Sequence, residues 1–228
     1  MLSNRQDHKA RLWFLGAGIY AVVATLFVFK GMLPSWVSGP LGSSLSLISI
    51  FLMMEALRHE VIQSQQESFA KSYLVVFGLH FLGLNLLYAN ELFDAWGRPL
   101  HLTLLSAIEL VLIYYANQAR KHHQSRSIWI LIVVFAIFSL SNLIRALEQW
   151  WVGQSTNLLS FTPINNFSLI VNYLSVIFYS YGYWGFVVDK HHRALSVSIE
   201  QTLEARHQQA LAEQNENMSK VLLQTRTE

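Results

Sequence analysis

The stretch Ser127–Glu148, SIWILIVVFAIFSLSNLIRALE, decides the fold. It carries only two charged side chains, Arg145 and Glu148, both near its end. An α-helix needs about 20 mainly apolar residues to cross the ~30 Å hydrocarbon core of a bilayer. Inside that core each backbone N–H and C=O must be bonded within the helix itself, so a run of this kind reads as a spanning helix. Five further segments fit the same description: Leu12–Met32, Trp36–Leu57, Ser72–Phe93, Pro99–Asn117 and Pro163–Val188. Turn formers stand between them, with Gly31 and Pro34, Gly97 and Pro99, and Gly153 and Pro163 as the clearest. The expected fold is therefore all-α, a polytopic membrane protein with six spans.

Composition agrees. Of 228 residues, 53% are hydrophobic and 13% charged, where a soluble domain carries about 25% charged residues. The remaining charge is concentrated at the end, because Asp189–Glu228 alone holds eleven charged side chains. A net charge of +2 without a basic stripe gives no footprint for nucleic acid. The absence of cysteine excludes disulfides, thiolate zinc sites and cysteine nucleophiles. Arg5, Lys9 and Arg11 precede the first apolar run, as in a signal peptide, but that run is too long and lacks a small-residue cleavage site.

Lys and Arg orient the spans. With the amino terminus in the cytoplasm, ten of them fall inside (Arg5, Lys9, Arg11, Arg58, Lys71, Arg120, Lys121, Arg126, Lys190, Arg193). Only three, Lys30, Arg98 and Arg145, fall outside. Both termini are then cytoplasmic. Trp36, Trp96, Trp150 and Trp151 mark the outer interface, where amphipathic rings lie best. The external connections Gly31–Ser35, Asp94–Arg98 and Trp150–Thr162 are too short for a periplasmic domain, so a stimulus must be met within the bilayer or at its outer face.

Beyond Val188 the chain has neither Gly nor Pro and is rich in Glu, Gln, Ala, Leu and Arg. Such a segment, 189–228, predicts a cytoplasmic signalling helix that could run ~60 Å at about 1.5 Å per residue. Leu195, Ile199, Leu203 and Ala210 supply the seam of a dimeric coiled coil, interrupted by Arg206 and Gln214. Glu216 and Lys220 are spaced as a favourable i,i+4 pair.

Ionisable groups within spans are costly and are the first candidates for function. His80 and Glu109 lie nearest the middle of the third and fourth spans and could share a proton or hydrogen bond. His80, Glu91 and Asp94 lie within roughly 60° of one another at about 100° per residue. Asn142, Arg145 and Gln149 form a comparable face on the fifth span, and Asn165, Ser168, Asn172 and Tyr179 one on the sixth. These faces predict a ligand- or proton-sensitive cavity lined by His80, Glu91, Asp94, Arg145 and Asn172, with Arg145 paired to Glu91 or Asp94. The plainer reading is that these groups tie helices together by hydrogen bonds worth about 0.6 kcal/mol each. His101, Glu91 and Asp94 could converge at the outer turn, but without a metal-ligand spacing, and no metal site is expected. Haem held by two membrane histidines is disfavoured because His80 is the one deeply placed histidine. His59, His122, His123, His191 and His192 fall at cytoplasmic ends, where headgroups or water meet them. Ser43, Ser44, Ser46 and Ser49 are small enough for close helix approach.

Four stretches carry a resemblance: LSLISIFLMMEALR (Leu45–Arg58), DAWGRPLHLTLLSAIELVLIYYAN (Asp94–Asn117), NLIRAL (Asn142–Leu147) and YWGFVVDKHHRA (Tyr183–Ala194). Over most of residues 10–195 the chain resembles the multi-span amino-terminal membrane sensor regions of bacterial sensor histidine kinases, and diguanylate cyclases carry similar regions. The tail ending LLQTRTE is similar to the helix that precedes a kinase dimerisation and phosphoacceptor domain. The resemblance implies a homodimeric sensor that passes a signal through its sixth helix to a kinase or cyclase domain of the same polypeptide. ATP and magnesium would belong to that domain alone. No phosphoacceptor, nucleotide-binding or GGDEF motif stands in these residues, and none of them is assigned a catalytic role. A small transporter or channel is the rival reading.

Overall fold

The computed structural model of the chain describes residues 2–29, 32–62, 70–152 and 163–225, and the side-chain surroundings of 8–29, 32–62, 72–151, 170–215 and 217–218. Among the described residues there is no strand. The helices are α1 (Leu2–Val28), α2 (Gly42–Val61), α3 (Ala70–Ala89), α4 (Arg98–His123), α5 (Ile128–Val152) and α6 (Pro163–Thr225). Both ends of α4 have identifiable local features. Pro99 occupies the first turn of α4, where a missing N–H costs nothing. Gln124 closes the same helix in the left-handed conformation, at φ 48°. Two π-helical turns, Val37–Leu41 and Phe93–Gly97, run directly into α2 and α4. Each i→i+5 turn adds a residue and re-aims the helix that follows.

Five stretches are long and apolar enough to cross a membrane: His8–Val28, Val37–Val61, Ser72–Ala89, Phe93–His123 and Ile128–Trp151. This is the make-up of a membrane protein. The bounds differ from expectation at several ends. α1 stops at Val28, short of Met32, and the fourth stretch continues six residues past Asn117 to His123. α6 is not among the five, since Asn172 and the tyrosines at 173, 179, 181 and 183 dilute its apolar run.

The chain divides into two compact units, Met1–Phe186 and Val187–Glu228, and α6 contributes to both. In the first unit, α2 is the central helix and packs against α1, α3 and α4, while α5 packs along α4. Its small residues permit this. Ser43, Ser44, Ser46 and Ser49 are all buried. The Ser49 hydroxyl donates to the Gly16 carbonyl of α1 at 2.7 Å, and a Cβ on Gly16 would stand 2.7 Å from the Ser49 carbonyl oxygen. Between α4 and α5 the Ser106 and Ser139 hydroxyls meet at 2.9 Å. The first part of α6 is seated by aromatic rings: Tyr183 stacks on Trp13 of α1 at 4.4 Å, and Tyr179 lies 4.8 Å from Phe135 of α5. α3 is peripheral and presents Leu74, Val75, Leu79, Leu82 and Leu86 outward, an apolar face suited to lipid.

In the second unit Leu195, Ile199, Leu203 and Ala210 are all exposed on the single chain. The side chains of Glu216 and Lys220 lie outside the described residues, as do those of Asn165 and Ser168, Lys30, and the greater part of the Trp150–Thr162 connection.

Candidate functional site

The polar interior gathers at the end of the bundle where both π-helical turns lie. Ser46 sits one turn into α2 and its hydroxyl donates to the Ser43 carbonyl at 2.7 Å. With its proton so placed, the Ser46 oxygen accepts from His101 Nε2 at 3.2 Å. His101 is then protonated on Nε2, and its bare Nδ1 accepts from His80 Nε2 at 3.1 Å. A neutral imidazole carries one proton, so the direction of each bond follows from the one before it. The chain His80–His101–Ser46 links α3, α4 and α2.

Beside His101 lies a cavity of about 50 Å³. Tyr20 from α1, Ser38 from the first π-helical turn, Ser43 and Ser46 from α2, Arg98 and His101 from α4, Asn142 and Arg145 from α5, and Asn172 and Tyr173 from α6 provide its polar lining. Phe27, Phe93, Leu102, Leu105 and Phe138 provide the apolar walls. Phe93 is held between glycines: a Cβ on Gly39 would come within 3.1 Å of its ring, and one on Gly97 within 2.8 Å. The Tyr20 hydroxyl donates to Asn172 Oδ1 at 2.7 Å, so α1 and α6 are joined across the cavity. Asn142 Nδ2 donates to both oxygens of Glu109, at 3.2 and 3.4 Å, and Glu109 is fully buried behind it.

Arg145 is 6% exposed, and its Nε has no hydrogen-bond partner. Among the described residues it forms no ion pair. The expected pairing with Glu91 or Asp94 is therefore absent. Asp94 is instead bonded to Arg98, four residues on in the same turn. Glu91 is exposed and holds a left-handed corner, φ 60°, at the end of α3. The shared proton expected between His80 and Glu109 is absent too, since His80 meets His101 and Glu109 meets Asn142. Of the five residues expected to line one cavity, Arg145 and Asn172 do so. His80 stands one hydrogen bond behind it, and Glu91 and Asp94 do not line it.

His101, placed by sequence at the outer turn, is 3% exposed and, with Ser46, joins the histidine chain to the cavity. A signal for it existed. His101, Leu105, Glu109, Leu112 and Ala116 recur at three- and four-residue spacing and are all buried on one face of α4. His80 is thus not the sole deep histidine. The second group missed lies at the opposite end of the bundle. There buried Glu60 is 3.3 Å from Lys9 Nζ and 3.4 Å from His123 Nε2, and Arg58 forks onto Glu55 at 2.6 and 2.9 Å. His123, expected among headgroups, instead ties α4 to α2. Ion pairs of this kind let charges lie inside a low-dielectric bundle.

Among the described residues no group of three or more His, Cys, Asp or Glu could hold a metal ion. Comparison of the chain with family models, with curated proteins and with solved structures finds no match. What the site can do is accordingly argued from its chemistry: it offers cationic and neutral hydrogen-bond donors around a small, part-apolar space.

Proposed function

We propose that this chain is the membrane-embedded sensing and signal-transmission module of a bacterial receptor, with a sensor histidine kinase as its output. In this reading the first part of α6 is a sixth span, both termini are cytoplasmic, and the polar remainder of α6 pairs with a second copy through Leu195, Ile199, Leu203 and Ala210. One observation carries it. Asn172, bonded to Tyr20 and lining the cavity, belongs to the same helix, Pro163–Thr225, that bears those four residues. A change in what the cavity holds therefore acts on α6 directly. Coupling between sites of about 1–3 kcal/mol is typical of allostery, and rearranging one or two buried hydrogen bonds is of that order.

The natural absence of cysteine makes the test direct. Single cysteines at Leu195, Ile199, Leu203 and Ala210 should crosslink between copies in membrane vesicles, and cysteines at Val197 and Ser198 should crosslink far less. A fluorescent reporter that matures only in the cytoplasm should light up when fused after Glu228. Inserting one residue after Ser198 turns everything downstream by about 100° and should abolish or invert regulation. Uniform crosslinking at all six positions, or a dark reporter on an expressed fusion, refutes the reading.

The rival, a small proton-coupled transporter or channel, draws on the His80–His101–Ser46 chain. Proton or solute flux into liposomes carrying the purified chain, abolished by His101→Phe, would favour it instead.

A further inference from the structure

We propose that the cavity beside Arg145 is a binding site for a small planar monovalent oxyanion of the carboxylate class, such as formate, acetate or bicarbonate. The proposal rests on the cavity being the sensing site, and it names what is sensed. Charge is the first argument. The cavity's charged lining is Arg98 and Arg145, with His101 beside them, and no carboxylate lines it. Asp94 is engaged by Arg98, and Glu109 by Asn142. Arg145, nearly completely buried, is left with an unpartnered Nε and no ion pair among the described residues. Glu148, three residues on, acts on Arg145 electrostatically without forming an ion pair with it, and a buried cation with so little compensation is costly for a protein interior. An anion in the cavity removes that cost.

Shape and size then narrow the class. A guanidinium presents parallel N–H donors that match the two oxygens of a planar oxyanion. Ser38, buried and lining the same space, has a hydroxyl without a partner and can donate a further bond. At about 10–15 Å³ of such volume per water, a cavity of about 50 Å³ takes roughly three to five non-hydrogen atoms. Acetate and bicarbonate have that size, and Phe27 and Phe93 give a methyl group somewhere apolar to lie. Tetrahedral dianions such as sulfate and phosphate, with five non-hydrogen atoms, stand at the upper limit of that space, do not match a planar fork with their remaining oxygens, and bring a second charge.

The experiment uses the whole purified chain in detergent or nanodiscs, at constant ionic strength with bulky gluconate as the reference anion. Formate, acetate and bicarbonate should raise the unfolding midpoint saturably, and saturation-transfer NMR should report bound acetate directly. Arg145→Gln should weaken acetate binding at least tenfold, and Ser38→Ala about two- to tenfold, by loss of their hydrogen bonds. Arg145→Lys keeps the charge without the fork and should fall between. The inference is overturned if none of the three anions binds beyond gluconate, if chloride or sulfate binds as well as acetate, or if Arg145→Gln binds acetate normally. Should Arg145→Gln fail to fold, the wild-type anion series and Ser38→Ala still decide. Acetate binding with no change in α6 crosslinking would leave the site standing and remove the sensing role.

Discussion

Replacing Asn142 by leucine, which has the same branched shape and the same number of side-chain non-hydrogen atoms, takes away the donor that Glu109 meets with little change of shape. Glu109 is fully buried, and Asn142 Nδ2 at 3.2 and 3.4 Å is the partner it has. A buried polar group stripped of its partner costs about 1–3 kcal/mol, towards the upper end when the group is a carboxyl. Asn142→Leu is therefore expected to destabilise the bundle by about 2 kcal/mol. For a chain of this size that lowers Tm by roughly 4–8 °C. Glu109→Met alone should cost about 1 kcal/mol, because it leaves the Asn142 amide unpaired in its turn. The double variant removes both halves of the pair and leaves neither partner unsatisfied. It should be more stable than the sum of the single losses by about 1–1.7 kcal/mol, the upper range measured for hydrogen bonds inside membranes. Reversible thermal unfolding in dodecyl maltoside, followed by helical circular dichroism, gives all four corners of the cycle. Additivity within about 0.5 kcal/mol would refute the reasoning, since it would mean that the two side chains do not depend on one another.

Three further outcomes follow from the same geometry. Gly16→Ala places a Cβ 2.7 Å from the Ser49 carbonyl oxygen and should cost about 1–3 kcal/mol, whereas Gly18→Ala meets nothing within 4 Å and should be neutral or slightly stabilising; equal midpoints for the two would contradict the close α1–α2 approach. Nitrogen NMR of His80 and His101 should find the proton on Nε2 of both rings, as the hydrogen-bond directions require; a proton on Nδ1 of His101 would reverse the chain. Glu60→Gln removes the carboxylate shared by Lys9 and His123, and should destabilise by about 3 kcal/mol through loss of a buried pair; an unchanged unfolding midpoint would count against that anchor.

Arg145→Gln and Glu91→Gln, equal candidates on sequence, are now expected to part company. Arg145 is buried in the cavity wall, and Glu91 is an exposed corner residue. The difference arises between Ala89 and Gly97. The end of α3 at Ala89 and the left-handed corner at Glu91 carry Glu91 and Asp94 off the face on which His80 stands, and the π-helical turn Phe93–Gly97 then sets the start of α4 so that His101 is buried on one face with Leu105 and Glu109. Charges near helix ends misled in a similar way. Arg58 and Glu60 lie beyond the expected end of the second span at Leu57, yet both are buried among neighbouring helices, as is Glu55 just inside that end.

Hydropathy is a property of a local run of residues, so it reveals spanning helices without any knowledge of their neighbours. That is why the helices and their apolar character could be read directly from stretches such as Ile128–Glu148, and why α3 with its outward leucines was found as readily as buried α2. Which polar group meets which is a different kind of quantity. It depends on the rotation of each helix about its axis, and one added residue in a turn changes that rotation by about 100°. The pairing of His80 with His101, the burial of Glu109 behind Asn142, and the isolation of Arg145 beside an empty-sided wall of donors were settled only when the helices packed.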